Sequence, residues 1–263
     1  MLTTGSQPAA VRASIGLHGA ALAAAVAVPE AWQWAAAVAA ANHLLLGAAG
    51  MVPQSTVLGP NLTRLPASRP EVALTFDDGP DPAVTPHVLD LLDAACVRAT
   101  FFCIGARARA HPALVREIVR RGHAVENHTD THPYGFAVLP PSLLRREIRR
   151  AQATLGELSG REPRFLRAPA GLRSPLLDPV LRGEGLRLAS WTRRALDSVR
   201  GDPNAAIQRL LRGLAPGDIL LLHDGNSART AAGVPVVLFV LPHVLRALSD
   251  AGLRPVTLGG SGN

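Results

Sequence analysis

Two adjacent aspartates end the apolar run of the segment VALTFDDGP, residues 72–80. The alternating run from Val72 to Phe76 has the pattern of a buried strand, and it delivers Asp77 and Asp78 together into a Gly-Pro turn. Two neighbouring carboxylates repel each other. Groups from elsewhere in the chain must therefore be positioned against this pair.

Two histidines four residues apart, His128 and His132, are the next residues whose spacing could do chemistry. They can bind one metal ion through two imidazoles if the segment turns tightly or is helical. The pattern H-x-x-x-H is weak by itself, and ordinary loop histidines are the alternative. With an aspartate from another strand end they would make a three-ligand site, which leaves positions open for water and substrate as a catalytic zinc site requires.

The elements that position these residues are alternating strand-like and helix-like stretches after residue 70. Strands separated by helices of this length indicate crossover units and a mostly parallel sheet, which we expect to close into a barrel. Barrels place their chemistry at the carboxyl ends of their strands. The paired aspartates, the two histidines, Arg167 and His223 all follow such strand ends, so we expect them to share one rim.

Several ordered motifs carry a family resemblance: TFDDGP, HTDTHP, RAPAG and ILLLHD, with a nearly continuous match from ATFFCIG to HTDTHP. In this order and at these separations they resemble the polysaccharide deacetylase family, the NodB-homology group of carbohydrate esterases known as family 4. The resemblance covers roughly residues 70–258. It implies an α/β fold, a distorted (β/α) barrel of the NodB-homology type, here preceded by an N-terminal hydrophobic helical segment.

The resemblance also implies a role for each polar residue at the rim. Asp78, His128 and His132 would bind a divalent metal, with zinc expected and Co²⁺, Ni²⁺, Fe²⁺ or Mn²⁺ as alternatives. Asp77 would be the general base for the attacking water, because the dication offsets the repulsion and leaves one carboxylate ionised. Arg167 would hold Asp77 by a charge-assisted hydrogen bond.

The remaining implied roles concern the leaving group and the oxyanion. His223 would be the general acid that protonates the leaving amine, and Asp197 would pair with it. Ala170, through its backbone N–H, and Leu221 would lie against the substrate and its oxyanion. Family members often have an aromatic residue in place of Ala170 and a tryptophan in place of Ser198, so we expect a wider site here.

The expected activity is metal-dependent hydrolysis of N-acetyl groups on amino sugars in a polysaccharide, an oligosaccharide or a lipid-linked glycan. One alternative is a deformylase or deacylase of a lipid-linked amino sugar. Another is a catalytically silent glycan-binding module, which would predict a broken set of motifs, whereas all of them are present. The imidazole pair argues against a phosphoryl-transfer site, which would be built from acids around Mg²⁺.

The N-terminal part has a different composition. Residues 15–28 and 31–52 are Ala-rich apolar runs, and Trp32 and Trp34 begin the second, where aromatic rings favour a membrane interface. We expect a membrane hairpin, with a signal peptide or single anchor and a soluble helical pair as alternatives. The predicted organisation is a hydrophobic segment over 1–52, a linker over 53–70 and the deacetylase domain over 71–258, associated with a bacterial inner membrane.

Charge and cysteine content restrict the partners. The net charge of +7 comes with only 4% aromatic residues, which does not favour a nucleic-acid surface and leaves anionic glycans or lipid headgroups as partners. Cys103 lies in an apolar run, where a buried thiol acting as a small hydrophobe is expected.

Overall fold

The strands of the α/β domain form one parallel sheet in the computed structural model, which describes residues 7–260. Their order is β5-β4-β3-β2-β1-β7-β6, with β8 also paired to β1. This curled sheet with its surrounding helices confirms the predicted distorted (β/α) barrel. The strands are β1 (Glu71–Asp77), β2 (Thr100–Cys103), β3 (Ala124–Asn127), β4 (Phe165–Leu166), β5 (Arg187–Leu188), β6 (Arg193–Arg194), β7 (Ile219–His223) and β8 (Arg254–Val256).

Helices on the outside of the sheet connect successive strands, except for β5 and β6, which follow each other directly. The apolar spacing of Val88, Leu89 and Leu92 places these side chains in the core, as the helical period predicts. The longest outer helix ends at Gly160, whose φ of 68° is the left-handed conformation that a glycine adopts readily. The outer helices are α3 (Thr85–Ala94), α4 (Gly105–Ala110), α5 (Pro112–Arg120), α6 (Pro141–Ser159), α7 (Leu177–Gly183), α8 (Pro203–Leu211) and α9 (Val236–Asp250).

Alternation along the strands decides which side chains enter the barrel. On β1, Val72, Leu74 and Phe76 pack in the core between the sheet and the helices. Ala73 packs in the second core, inside the barrel, with Phe102, Trp191 and Leu221. Successive side chains of a strand point to opposite faces, so Asp77 continues the inward series of Ala73 and Thr75.

The segment 53–70 packs along the barrel. Leu62 donates its N–H to the carbonyl of Leu188 at 2.9 Å, and Leu65 donates to the carbonyl of Gly217 at 2.8 Å. Leu58 and Leu65 are buried. These contacts make the segment a packed edge of the domain in the structure, while the boundaries 1–52, 53–70 and 71–258 stay predictions.

The N-terminal segment forms two antiparallel helices, α1 (Ala9–Ala27) and α2 (Trp32–Met51), joined by a short 3-10 turn at Pro29–Ala31. The amide of Asn42 donates to Ser14 at 2.6 Å across the pair. Both helices are long and apolar enough to cross a membrane by length and composition, and they are almost entirely exposed. This exposure contrasts with the buried apolar faces of the outer helices.

Candidate active site

The strand β1 carries the paired aspartates to the rim. Its parallel register places Asp77 beside Phe102 of β2 and beside His223 of β7. Asp78 then has a φ of 70°, a left-handed turn that takes the chain out of the strand. Both aspartates are buried. The pair is therefore fixed by the centre of the sheet rather than by a mobile loop.

The histidine segment turns tightly, as its proposed role requires. Thr129 and His132 both have positive φ, at 65° and 53°. The side-chain oxygen of Asn127 accepts the N–H of Thr129 at 2.8 Å, and the Thr129 hydroxyl accepts the N–H of His132 at 3.1 Å. This folded segment brings His128 and His132 to 4.9 Å between ring centroids.

One oxygen of Asp78 faces both histidines. Its Oδ1 lies 3.2 Å from Nε2 of His128 and 3.4 Å from Nε2 of His132, and it is buried with no hydrogen-bond partner. The other nitrogen of His128, Nδ1, donates to the carbonyl of Arg167 at 2.8 Å, which leaves Nε2 free to ligate. A carboxylate oxygen and two imidazole nitrogens within 4.8 Å of one another fit a divalent metal such as zinc.

The ionisation state of Asp78 also suits a ligand. Burial favours its protonated form, but the hydrogen bond and positive charge of His128, with the nearby charges of His223 and His132, hold the pKa of Asp78 well below its usual value. The carboxylate is therefore charged at neutral pH, which is the form that binds a cation.

Arg167 lies completely inside the barrel and holds Asp77. Its Nη1 donates to Asp77 Oδ1 at 2.6 Å and to Thr75 at 2.8 Å, and its Nη2 donates to the carbonyl of Ser190 at 2.9 Å. The guanidinium stacks 4.0 Å above the Phe102 ring. Burial lowers the pKa of Arg167 below its usual value, although the charge and hydrogen bond of Asp77 act in the opposite direction. The short charge-assisted hydrogen bond keeps both groups oriented.

A second dyad stands on β7 and the loop after β6. Nδ1 of His223 lies 2.7 Å from Asp197 Oδ1, and the backbone N–H of His223 donates to Asp197 Oδ2 at 2.9 Å. Burial lowers the pKa of His223, but the charge and hydrogen bond of Asp197 prevail and raise it. Because Nδ1 donates to Asp197, the nitrogen that faces away from the dyad is Nε2, which lies 3.4 Å from the hydroxyl of Ser198.

The two residues expected at the substrate lie at different depths. Ala170, in the turn after β4, has a φ of 54° and is followed by Gly171, where a Cβ would collide with the rings of Trp191 and Pro53. Leu221 is buried in the core of the barrel, two residues before His223. Their contact with substrate stays a prediction, with Ala170 at the surface of the rim and Leu221 beneath it.

Sequence reasoning did not identify Asn226 and Arg107. The amide of Asn226 donates to Asp78 Oδ2 at 3.1 Å. Arg107 donates to the side-chain oxygen of Asn226 at 2.6 Å and to the backbone carbonyl of Asp78 at 2.9 Å. Asn226 follows the ILLLHDG motif directly, which is the only signal that the sequence offers. The pair turns the ligand carboxylate so that Oδ1 faces the histidines.

The rim of the parallel barrel thus brings together three groups: a ligand set that fits a metal ion, a carboxylate paired with an arginine, and an imidazole paired with an aspartate. Residues 64–189 match the family described as polysaccharide deacetylase. A chitooligosaccharide deacetylase of Sinorhizobium fredii is 40% identical over 188 residues, which are 70% of this chain and 87% of that protein.

Further relatives agree. A peptidoglycan-N-acetylglucosamine deacetylase of Bacillus cereus is 32% identical over 73% of this chain and 68% of its own length. The solved structure of a family 4 carbohydrate esterase from Streptomyces lividans, in complex with acetate, superposes with a TM-score of 0.63 at 32% identity, covering 70% of this chain and 91% of that one.

These observations define a metal-dependent hydrolase that cleaves amide carbon–nitrogen bonds of amino sugars. The chain belongs to the polysaccharide deacetylase family. The resemblance read from the sequence motifs and the expected enzyme class are thereby confirmed.

Proposed function

We propose that this chain deacetylates N-acetylglucosamine units of an oligosaccharide or glycan, with the residues of the rim in the roles predicted for them. The observation that supports this proposal best is the placement of two dyads at the same rim as the Asp78, His128 and His132 ligand set. One dyad is Asp77 with Arg167, and the other is His223 with Asp197. Amide hydrolysis needs a base and an acid close to a Lewis-acid position.

The metal, which we propose to be zinc, would polarise the acetamide carbonyl and make water a better nucleophile. Asp77 takes the proton of the attacking water, and Arg167 keeps that carboxylate oriented. The oxygen–carbon bond forms, and the backbone N–H of Ala170 stabilises the oxyanion. His223 Nε2 gives its proton to the nitrogen as the carbon–nitrogen bond breaks, which releases acetate and the amine.

We further propose that helices α1 and α2 hold the enzyme in a bacterial inner membrane. Each helix is 19 or 20 residues long, about 30 Å at 1.5 Å per residue, which matches the hydrocarbon core of a bilayer. Full-length chain should fractionate with membranes and resist extraction by salt, because hydrocarbon burial is not screened by ions.

The experiment that tests the activity measures acetate release from an N-acetylglucosamine tetramer by the zinc-loaded full chain. Asp77→Asn should keep the metal and lose most turnover, since the base is gone and the three ligands remain. Asp78→Asn should lose both. Asp90→Asn, an exposed carboxylate in an ion pair with Arg121 far from the rim, is the matched control.

Near-normal turnover in Asp77→Asn would show that Asp77 is not the base. Full metal occupancy in Asp78→Asn would remove it from the ligand set. A wild-type chain that binds the tetramer and zinc without releasing acetate would favour the silent glycan-binding module.

A further inference from the structure

The carboxyl end of helix α2 is attached directly to the loop that carries the expected oxyanion donor. The carbonyl of Gly50 accepts the N–H of Arg173 at 3.1 Å, and Gly50 is buried. A Cβ at this position would collide with the carbonyl of Arg173, so glycine permits the close approach. The guanidinium of Arg173 donates to the carbonyl of Ser55 in the segment that leaves the helix. The last turn of α2 and the loop after β4 are thus one packed unit.

The residues that follow α2 also form a wall of the rim. The side chains of Pro53 and Trp191 both pack against Gly171, the neighbour of Ala170. Gln54 donates to the carbonyl of Trp191 at 3.0 Å. The chain therefore passes from the apolar helix to the edge of the active site without a spacer.

The beginning of α1 and the end of α2 both lie beside the barrel. Pro8 and Arg12, at the beginning of α1, line one cavity together with Asn61 and Arg187. The turn at Pro29–Ala31 is consequently the far end of the pair. In a membrane the contact between Gly50 and Arg173 places the loop of Ala170, at the catalytic rim, next to the bilayer surface from which α2 emerges.

The distance can be bounded. Ala170 is three residues from Arg173, so an extended chain separates them by at most about 11 Å. The polar headgroup layer on each side of the hydrocarbon is roughly 5 to 8 Å deep. The oxyanion position therefore lies within or just above the headgroups when α2 spans the hydrocarbon.

The surface of the barrel gives an independent indication. In residues 53–260, exposed large apolar side chains concentrate on the loops that follow the strands, at the catalytic rim. Tyr is enriched where proteins meet the membrane interface, and exposed apolar side chains on one face of a domain suit contact with a membrane. These side chains are Tyr134 and Val138 after β3, Leu176 after β4, Val199 after β6, Val234 after β7 and Phe239 in the first turn of α9, and Val57 is also exposed in the segment after α2.

We propose that the catalytic rim lies against the membrane surface and that the substrate is an N-acetylated amino sugar carried by a membrane lipid. This inference rests on the proposed deacetylase activity and specifies its substrate class. A sugar attached to a lipid is presented at the headgroup layer, close to the position bounded above for the loop of Ala170. Lipid and enzyme then meet on one surface, where confinement raises their effective concentration.

The orientation is tested with fluorophores attached to cysteine in full-length chain reconstituted into vesicles that contain a headgroup-quencher lipid. Native Cys96 is exposed between α3 and β2, at the opposite end of the barrel, and Cys103 is buried. Wild-type chain therefore carries its label away from the rim, and Cys96→Ser with Val138→Cys carries it on the rim. We expect several-fold stronger quenching at residue 138 than at Cys96. Equal quenching at the two positions would overturn the proposal.

The substrate class is tested with the same vesicles. The probes are N-acetylglucosamine joined to a dialkylglycerol in the bilayer and the N-acetylglucosamine tetramer in solution. We expect kcat/KM to be at least about tenfold higher for the glycolipid, because both partners are confined to one surface. Val138→Glu should lower turnover of the glycolipid several-fold and leave the tetramer unaffected. Ala95→Glu, at the opposite end of the barrel, should change neither.

The outcomes separate the two proposals. Acetate release from the tetramer with equal or lower turnover of the glycolipid refutes the lipid-carried substrate and leaves the deacetylase assignment standing, with a soluble glycan as substrate. No acetate from either probe refutes the deacetylase assignment itself. Equal losses for both probes in Val138→Glu would show that this residue acts on the folded site and not on membrane contact.

Discussion

Replacing Asn226 by glycine isolates the contribution of its amide to metal binding. Asn226 has a φ of 54°, so glycine keeps the backbone conformation at low cost while it removes the donor to Asp78 Oδ2. A hydrogen bond to a charged acceptor contributes about 1.5 to 3 kcal/mol. We therefore expect zinc affinity to fall roughly 10- to 100-fold, which is the usual size of such an effect next to a metal ligand.

The assay is a competition titration of zinc between full-length chain and a chromogenic chelator, so its readout does not depend on turnover. Ser227→Ala is the control, because this neighbour contacts α9 and not Asp78. Arg107→Ala should weaken zinc binding as well, and adding it to Asn226→Gly should cost less than the sum of both changes, since Arg107 partly acts through Asn226. Zinc affinity within about twofold of wild type in Asn226→Gly would refute the reasoning.

Three further expectations follow from the buried ionisable groups. Asp197→Asn removes the charge that raises the pKa of His223, so the alkaline limb of the pH profile of kcat/KM should move to lower pH. An alkaline limb that does not move would mean that His223 is not the general acid. Arg167→Lys keeps the charge but loses the planar guanidinium, so kcat should fall roughly 10- to 100-fold while the metal content is retained. Loss of metal in this variant would show that Arg167 supports the metal site and not Asp77. Burial raises the pKa of Glu126 from 4.5 to about 7, so the folded state binds more protons than the unfolded state between these pH values and its stability falls as pH rises through them. In Glu126→Gln the unfolding free energy, measured with urea, should differ between pH 5 and pH 8 by about 3 kcal/mol less than in wild type. An unchanged difference would contradict the raised pKa of Glu126.

Much of the site could be predicted from the sequence because it is built on strand ends. The motif residues follow buried apolar runs, and a parallel sheet brings all carboxyl ends of its strands to one edge. The period of two along β1 and β7 then decides that Asp77 and His223 continue the inward faces of their strands. The segment LASWT, residues 188–192, has a composition typical of a strand, but its pairing extends only to Leu188 and a bridge at Ala189. The short strand at Arg193–Arg194 has no apolar alternation by which it could be recognised.

The sequence alone determined the element types, the strand-end placement of the chemistry and the family, since periodicity and ordered motifs are local properties of the chain. Only the tertiary structure decided which oxygen of Asp78 faces the histidines, that Asn226 and Arg107 turn it there, and that Gly50 locks the apolar helices onto the loop of Ala170. The contacts of Asn226 with Asp78 and of Gly50 with Arg173 join residues more than 100 positions apart. Spacing along the chain carries no signal for such contacts, because the packing of separate elements creates them.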